Sequence, residues 1–232
     1  IIEEAKELFI RVKRESDNAE LARQALNMEA LCALMLGNPN EVLGLFAEVS
    51  MQMYSPEAIL APAYQMIGKP EEAKAVLQVG IYQHVLSLLD ILPTYLTLCT
   101  DEPERYDETY KRALAVVEAF GIKGLHPSIL VQFLLVAAQG YVTLGNTDKA
   151  LDILEEYAEL VTGDIYPLQL KGDDFFTLLD DWFKEFPLGT APPRDEKIIR
   201  QSMTEGVVNN PAFTVLADER RFQRIAEKLK NN

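Results

Sequence analysis

Apolar positions along this chain recur at helical spacing. In "DDFFTLLDDWFKEF", Phe175, Leu179, Trp182 and Phe186 fall at i, i+4, i+7 and i+11, which predicts one helix face capped by Asp173 or Asp174. "DERRFQRIAEKLK" predicts a short closing helix with Phe222, Ile225 and Leu229 inward, and "IIEEAKELFIRVKRE" an amphipathic helix at the start. Between these lies a pattern that occurs twice. "AYQMIGKPEEAKAVL" and "GYVTLGNTDKALDIL" share Tyr, three residues, Gly, four residues, Ala, three residues, Leu. Tyr64, Gly68, Ala73 and Leu77 thus match Tyr141, Gly145, Ala150 and Leu154. Tyr and the Gly four residues later lie on one helix face, and the Gly ends that helix at a turn. Pro70 in one copy, and Asn146 with Asp148 in the other, suit the start of the next helix. The small Ala lets the second helix approach the first, and the Leu one turn on fills the groove. Such a hairpin cannot bury its faces alone and must stack on copies of itself.

These residues resemble the tetratricopeptide repeat. In the better copy its positions fall on Leu134, Ala138, Tyr141, Gly145, Ala150, Leu154 and Tyr157; in the other they fall on Ala61, Tyr64, Gly68, Ala73, Leu77 and Gly80. A weaker copy, "EALCALMLGNPNEVLGLFAEV", places Ala30, Ala33, Gly37, Val42 and Phe46 in register but lacks the Tyr. Between Gly68 and Gly145 there is room for one degenerate pair, "VGIYQHVLSLLDIL" and "ERYDETYKRALAVVEAFG", with Ala113 and Val117 in the Ala and Leu slots. The resemblance implies an all-α fold: a right-handed α-solenoid of tetratricopeptide-like hairpins over residues 1–162, with divergent helices in 163–232 capping it within the same structural domain. Two prolines depart from the pattern. Pro62 is expected to kink its helix near Ala58, and Pro93 to break the helix that starts near Val79. "GDIYPLQLKGDD" and "PLGTAPPRDE" read as links, with a helix from Glu196 to about Glu205 after the second.

Composition narrows the function. Of 232 residues 48% are hydrophobic, enough for a sizeable core, and 36 acidic against 22 basic residues give a charge of −14. So acidic a surface repels phosphate backbones, so no direct nucleic-acid contact is expected. No apolar run approaches the length needed to cross a bilayer, and no secretion signal is visible, so no membrane partner is expected. Cys32 and Cys99 sit among apolar neighbours and read as buried free thiols of a reducing cytoplasm. The chain starts inside a helix and without Met, which suggests a segment of a longer protein.

Catalysis has no candidate set. His84 and His126 lack a second His or Cys at metal spacing, and phosphate loops, GxSxG and HExxH are absent. Asp173-Asp174 and Asp180-Asp181 are adjacent pairs that diverge by about 100° on a helix, so each reads as capping or as a solvated face. No enzyme activity, metal or cofactor is expected.

Surface shape remains. In stacked hairpins the first helices line a concave groove. By register its residues are Gln24, Asn27, Leu31 and Met35, then Gln65 and Met66, with His84 from the degenerate pair and Gln132, Leu135, Gln139 and Thr143 from the last. Amide side chains suit an extended peptide backbone, and Met and Leu its apolar side chains. "LARQALNMEALCALMLGN" and the ending "NNPAFTVLADERRFQRIAEKL" resemble the effector half of bacterial cytoplasmic transcription regulators, in which a small helix-turn-helix DNA-binding domain precedes the array. That resemblance implies a groove that binds a peptide or small ligand, a homodimer, and contact with DNA only through an N-terminal domain outside this sequence. A scaffold that binds a protein partner without switching, and a regulatory domain attached to an enzyme, use the same surface.

Overall fold

The computed structural model describes residues 1–46, 55–186 and 189–231. Their regular elements are all helical, with no strand among the described residues. The chain divides into two compact units, Ile1–Tyr54 and Ser55–Asn232.

In the first unit α1 (Ile2–Glu15) packs on α2 (Ala19–Met35), and α2 on α3 (Pro39–Leu45). The Asn18 side chain starts α2 by accepting from the backbone N–H groups of Glu20 and Leu21, two donors with no partner inside the helix. The buried face of α2 is small: Ala25, Ala30, Cys32 and Ala33. Two ion pairs supplement that thin core. Lys13 meets the buried Glu29 at 2.5 Å, and Lys6 meets Glu41 at 2.6 Å, holding α1 to α2 and α3. The weak repeat copy beyond Phe46 lies outside the described residues.

The second unit contains α4 (Glu57–Met66), α5 (Pro70–Leu98), α6 (Pro103–Ala119), α7 (Ile122–Leu125), α8 (Pro127–Thr143), α9 (Thr147–Val161), α10 (Leu179–Lys184), α11 (Glu196–Val208), a 3-10 helix (Pro211–Leu216) and α12 (Arg220–Lys230). α4 packs on α5, α5 on α6 and α8, and α8 on α9.

All three glycines of the sequence pattern turn the chain in the same way. Gly37, Gly68 and Gly145 have φ of 76°, 75° and 71°, a left-handed conformation that favours glycine. Each N–H donates to the carbonyl three residues back, at 3.0, 3.0 and 2.9 Å, to Leu34, Gln65 and Val142. The next residue in each case donates five back: Asn38 to Ala33, Lys69 to Tyr64, Asn146 to Tyr141. This double bond closes a helix end, and a new helix starts two residues later, with Pro39, Pro70 or Thr147 first.

Burial of the repeat positions is less uniform. Ala73 and Ala150 are both buried, as the close approach requires. Tyr141 and Leu154 are buried too, but Tyr64 is half-buried and Leu77 is 38% exposed. Tyr141 sits edge-on to Tyr106 and Tyr110, and its hydroxyl donates to Asp107 at 2.9 Å. Tyr64 has no such aromatic setting among the described contacts.

Both prolines stay inside their helices. Pro62 lies within α4, and Pro93 is buried within α5 rather than ending it. Losing one backbone hydrogen bond at Pro93 is offset by burial of the ring and of Leu89 and Leu96 beside it. The second helix of one expected hairpin and the first of the next are therefore one 29-residue helix. Counted as one element, α5 is long and apolar enough to cross a membrane, contrary to the sequence reading. One face packs within the unit, but only 22% of its most apolar stretch is buried, less than in a core helix.

The expected helix over 173–186 is shorter. Asp173 Oδ1 accepts from the N–H of Phe175 and of Phe176, but the helix spans only Leu179–Lys184. Phe176, Leu179 and Phe183 are the buried residues, whereas Phe175 is exposed and Trp182 and Phe186 half-buried. Tyr82 of α5 draws this segment in, with Phe176, Trp182 and Phe183 ringed edge-on around it. Gln78 locks the backbone: its amide nitrogen donates to the Phe175 carbonyl, and its oxygen accepts from Leu178 N–H at 2.8 Å.

α12 packs on α9 with Phe222, Ile225 and Leu229 buried, as their spacing predicts. Arg221 reaches α9 at Asp152 (2.7 Å) and Glu155 (2.8 Å).

Candidate functional site

The groove residues fall into separate sets. Gln24, Asn27, Leu31 and Met35 are exposed along one face of α2 in the first unit. With Met28, they make an apolar and amide stripe above the buried alanines. The others belong to the second unit. Gln65 and Met66 are exposed at the end of α4, just before the left-handed Gly68. His84 stands on α5, with Nε2 3.6 Å from the Glu57 carboxylate of α4. Gln132, Leu135, Gln139 and Thr143 form one row on α8, at i, i+3, i+7 and i+11.

Access along the α8 row is graded. Gln132 and Thr143 are exposed, and the Thr143 hydroxyl donates to the Gln139 carbonyl at 3.1 Å. Gln139 is half-buried. Leu135 is not an open groove residue: it packs against the hydrophobic core, and its Cδ2 lies beside Gly206 of α11. Tyr157 Oη donates to the Met203 carbonyl at 2.8 Å, and Thr204 Oγ1 to the Leu229 carbonyl at 3.0 Å, fixing α11 there. The row thus offers two amides and a hydroxyl around a covered apolar centre.

Two concavities were not legible in the repeat register. One, of about 290 Å³, lies at the start of α8, walled by Leu125, Pro127, Leu168, Leu170 and Pro192, with His126 at its edge. Its two loop walls are tied by Leu170 N–H to Thr190 O (3.0 Å) and by Gln169 Nε2 to Thr190 Oγ1 (3.0 Å). His126 Nδ1 is buried with no hydrogen-bond partner, and burial lowers the imidazole pKa, so the ring is held neutral. The pieces come from "GLHPS", "PLQL" and "TAPP", which only the tertiary fold assembles. The second is an open depression of about 890 Å³ between the end of α5 and the start of α6. Its arginines are already paired, Arg105 with Glu102 at 3.1 Å and Arg112 with Glu108 at 2.7 Å, so neither is free to hold an anionic ligand.

No cluster of His, Cys, Asp or Glu suited to a metal ion occurs among the described residues. Cys32 and Cys99 are buried free thiols. In comparisons with family models, curated proteins and solved structures, the chain matches none of them.

Proposed function

We propose that this chain is the ligand-sensing and protein-interaction part of a bacterial cytoplasmic transcription regulator. In this reading its hairpins form a right-handed tetratricopeptide-like superhelix that takes a peptide or small ligand on its concave side. The observation that carries the reading is the recurrence of one turn geometry at Gly37, Gly68 and Gly145, each followed by a new helix. A repeated turn is what stacking of like hairpins needs, and the exposed face of α2 carries amides beside Met and Leu. Ligand binding that favours one pitch of the superhelix shifts the spacing of two attached DNA-binding heads, which needs only a differential affinity for the two states. The DNA contact belongs to a domain N-terminal to this sequence, and the charge of −14 suits that separation.

The test is selection of random octapeptides on the immobilised chain. Enriched peptides should bind wild type and lose about tenfold in affinity to Asn27→Ala or Gln139→Ala, each with unchanged melting temperature. Failure of any peptide to enrich over an unrelated helical protein, or unchanged affinity in both variants, removes the groove assignment. Reading the codons upstream of Ile1 tests the regulator separately, since an upstream region without a DNA-binding domain removes that part.

A further inference from the structure

α5 carries an exposed apolar seam that the groove does not use. Ile81, His84, Leu88, Ile91, Tyr95 and Leu98 follow one another at steps of 3, 4, 3, 4 and 3. That is heptad spacing, the arrangement by which two helices interlock. Over this length it stays within a stripe about 100° wide on a straight helix. The core-facing residues Tyr82, Val85, Leu89, Pro93 and Leu96 are buried on the neighbouring face, so the seam is a second apolar face. Leu88, Ile91, Tyr95 and Leu98 are 43%, 63%, 41% and 72% exposed. The fusion of two helices into α5 accounts for it. Had the chain turned back near Gly80, as at Gly68, the preceding helix would lie against residues 81–98. With no turn there, that cover is missing.

We infer that the seam is a homodimer interface in which α5 pairs antiparallel with α5 of a second copy. Three properties select a second copy over other occupants. First, the seam is its own complement: reversed about a point between Leu89 and Asp90, Ile81 meets Leu98, Leu88 meets Ile91 and His84 meets Tyr95. That is the self-matching an isologous contact requires. Tyr95 and His84 can share a hydrogen bond there, whereas a parallel pair would set His84 against itself. Second, between Lys74 and Asp101 only His84 and Asp90 can carry charge near neutral pH, in a chain 25% charged with a net −14. α5 itself therefore sets no carboxylate against its copy along the seam, and the Glu57 carboxylate beside His84 faces Tyr95, next to Arg105, in the second copy. Third, covering two stripes of this length removes on the order of 1,000 Å² from water, the level at which specific interfaces begin. Ser87 and Thr94 on the solvent flank are small enough for close approach.

The homodimer is part of the regulator reading, but the seam shares no residue with the groove other than His84. Loss of the dimer with peptide capture intact therefore counts against the seam alone. Sedimentation equilibrium of the 232-residue chain should give twice 26.1 kDa, with the dimer fraction rising as salt screens the like charges. Ile91→Glu and Leu98→Glu, at exposed positions, should each raise the dissociation constant at least tenfold, and together give a monomer with unchanged circular dichroism and melting temperature. Under mild oxidant, mixed Leu88→Cys and Ile91→Cys chains should form a disulfide-linked dimer that neither forms alone. A wild-type monomer at 100 μM, a dimer that survives both Glu substitutions, self-crosslinking of either Cys variant alone, or a monomer that floats with phospholipid vesicles overturns the inference.

Discussion

Gly140 and Gly145 look alike in the sequence and do different work. Gly145 takes a φ of 71° with open space around it, so its demand is conformational. Gly140 is an ordinary helical residue whose missing Cβ makes room for Tyr106, which is fully buried and bonded to the Ala137 carbonyl at 3.0 Å. A methyl group there would collide with a ring that has nowhere to go. Gly140→Ala should therefore destabilise the protein by about 2 kcal/mol in urea unfolding, despite the better helix propensity of Ala. Position alone marked Gly145, since it follows a helix and precedes a capping residue. Nothing local marked Gly140, because its partner comes from another helix. His126 was also invisible to spacing. Burial lowers its pKa, so the folded protein stays neutral where the unfolded chain takes up a proton. The unfolded state then binds more protons, and stability is lost as pH falls below about 6.5 toward the folded value. His126→Gln should flatten the drop in melting temperature between pH 7.5 and 5.5; an unchanged slope would show that the imidazole does not contribute.

At the scale of elements, the helices that end in Gly and restart with Pro or a capping residue were legible. So was α12, whose apolar spacing and burial agree. α5 and α10 were not. A proline in a helical pattern ordinarily ends the helix, but Pro93 is buried in a core that compensates for one lost hydrogen bond. The 173–186 stretch has helical spacing for its whole length, yet Gln78 bonds its backbone and Tyr82 gathers its rings, so tertiary contacts override the pattern. α12 also depends on a contact unreadable from its own sequence. Arg221 binds Asp152 and Glu155 of α9, and that contact holds the Glu155 carboxyl below its usual range. A carboxylate with a depressed folded pKa contributes stability above the unfolded value, and this is lost as pH falls through the folded one. Arg221→Ala should cost about 1 kcal/mol at pH 7, with the difference from wild type shrinking below about pH 4.5. A constant difference down to pH 3 would mean that Arg221 acts through packing rather than charge.

For the whole molecule, helical content was readable throughout, and the groove residues only in part. The exposed row on α2 and the exposed ends of the α8 row follow from register, but the cover over Leu135 comes from α11, which enters the sequence far downstream. The division at residue 54 and the fused α5 have no local signature either. That fusion has a mechanical result. Twenty-nine residues of unbroken helix make a strut roughly 43 Å long. α4 is seated along its first part, and α6 follows from its far end. A strut without a joint passes a tilt along its length instead of absorbing it. α6, α8 and α10 also pack on it, so a tilt started at the Pro70 end is carried to them along its length.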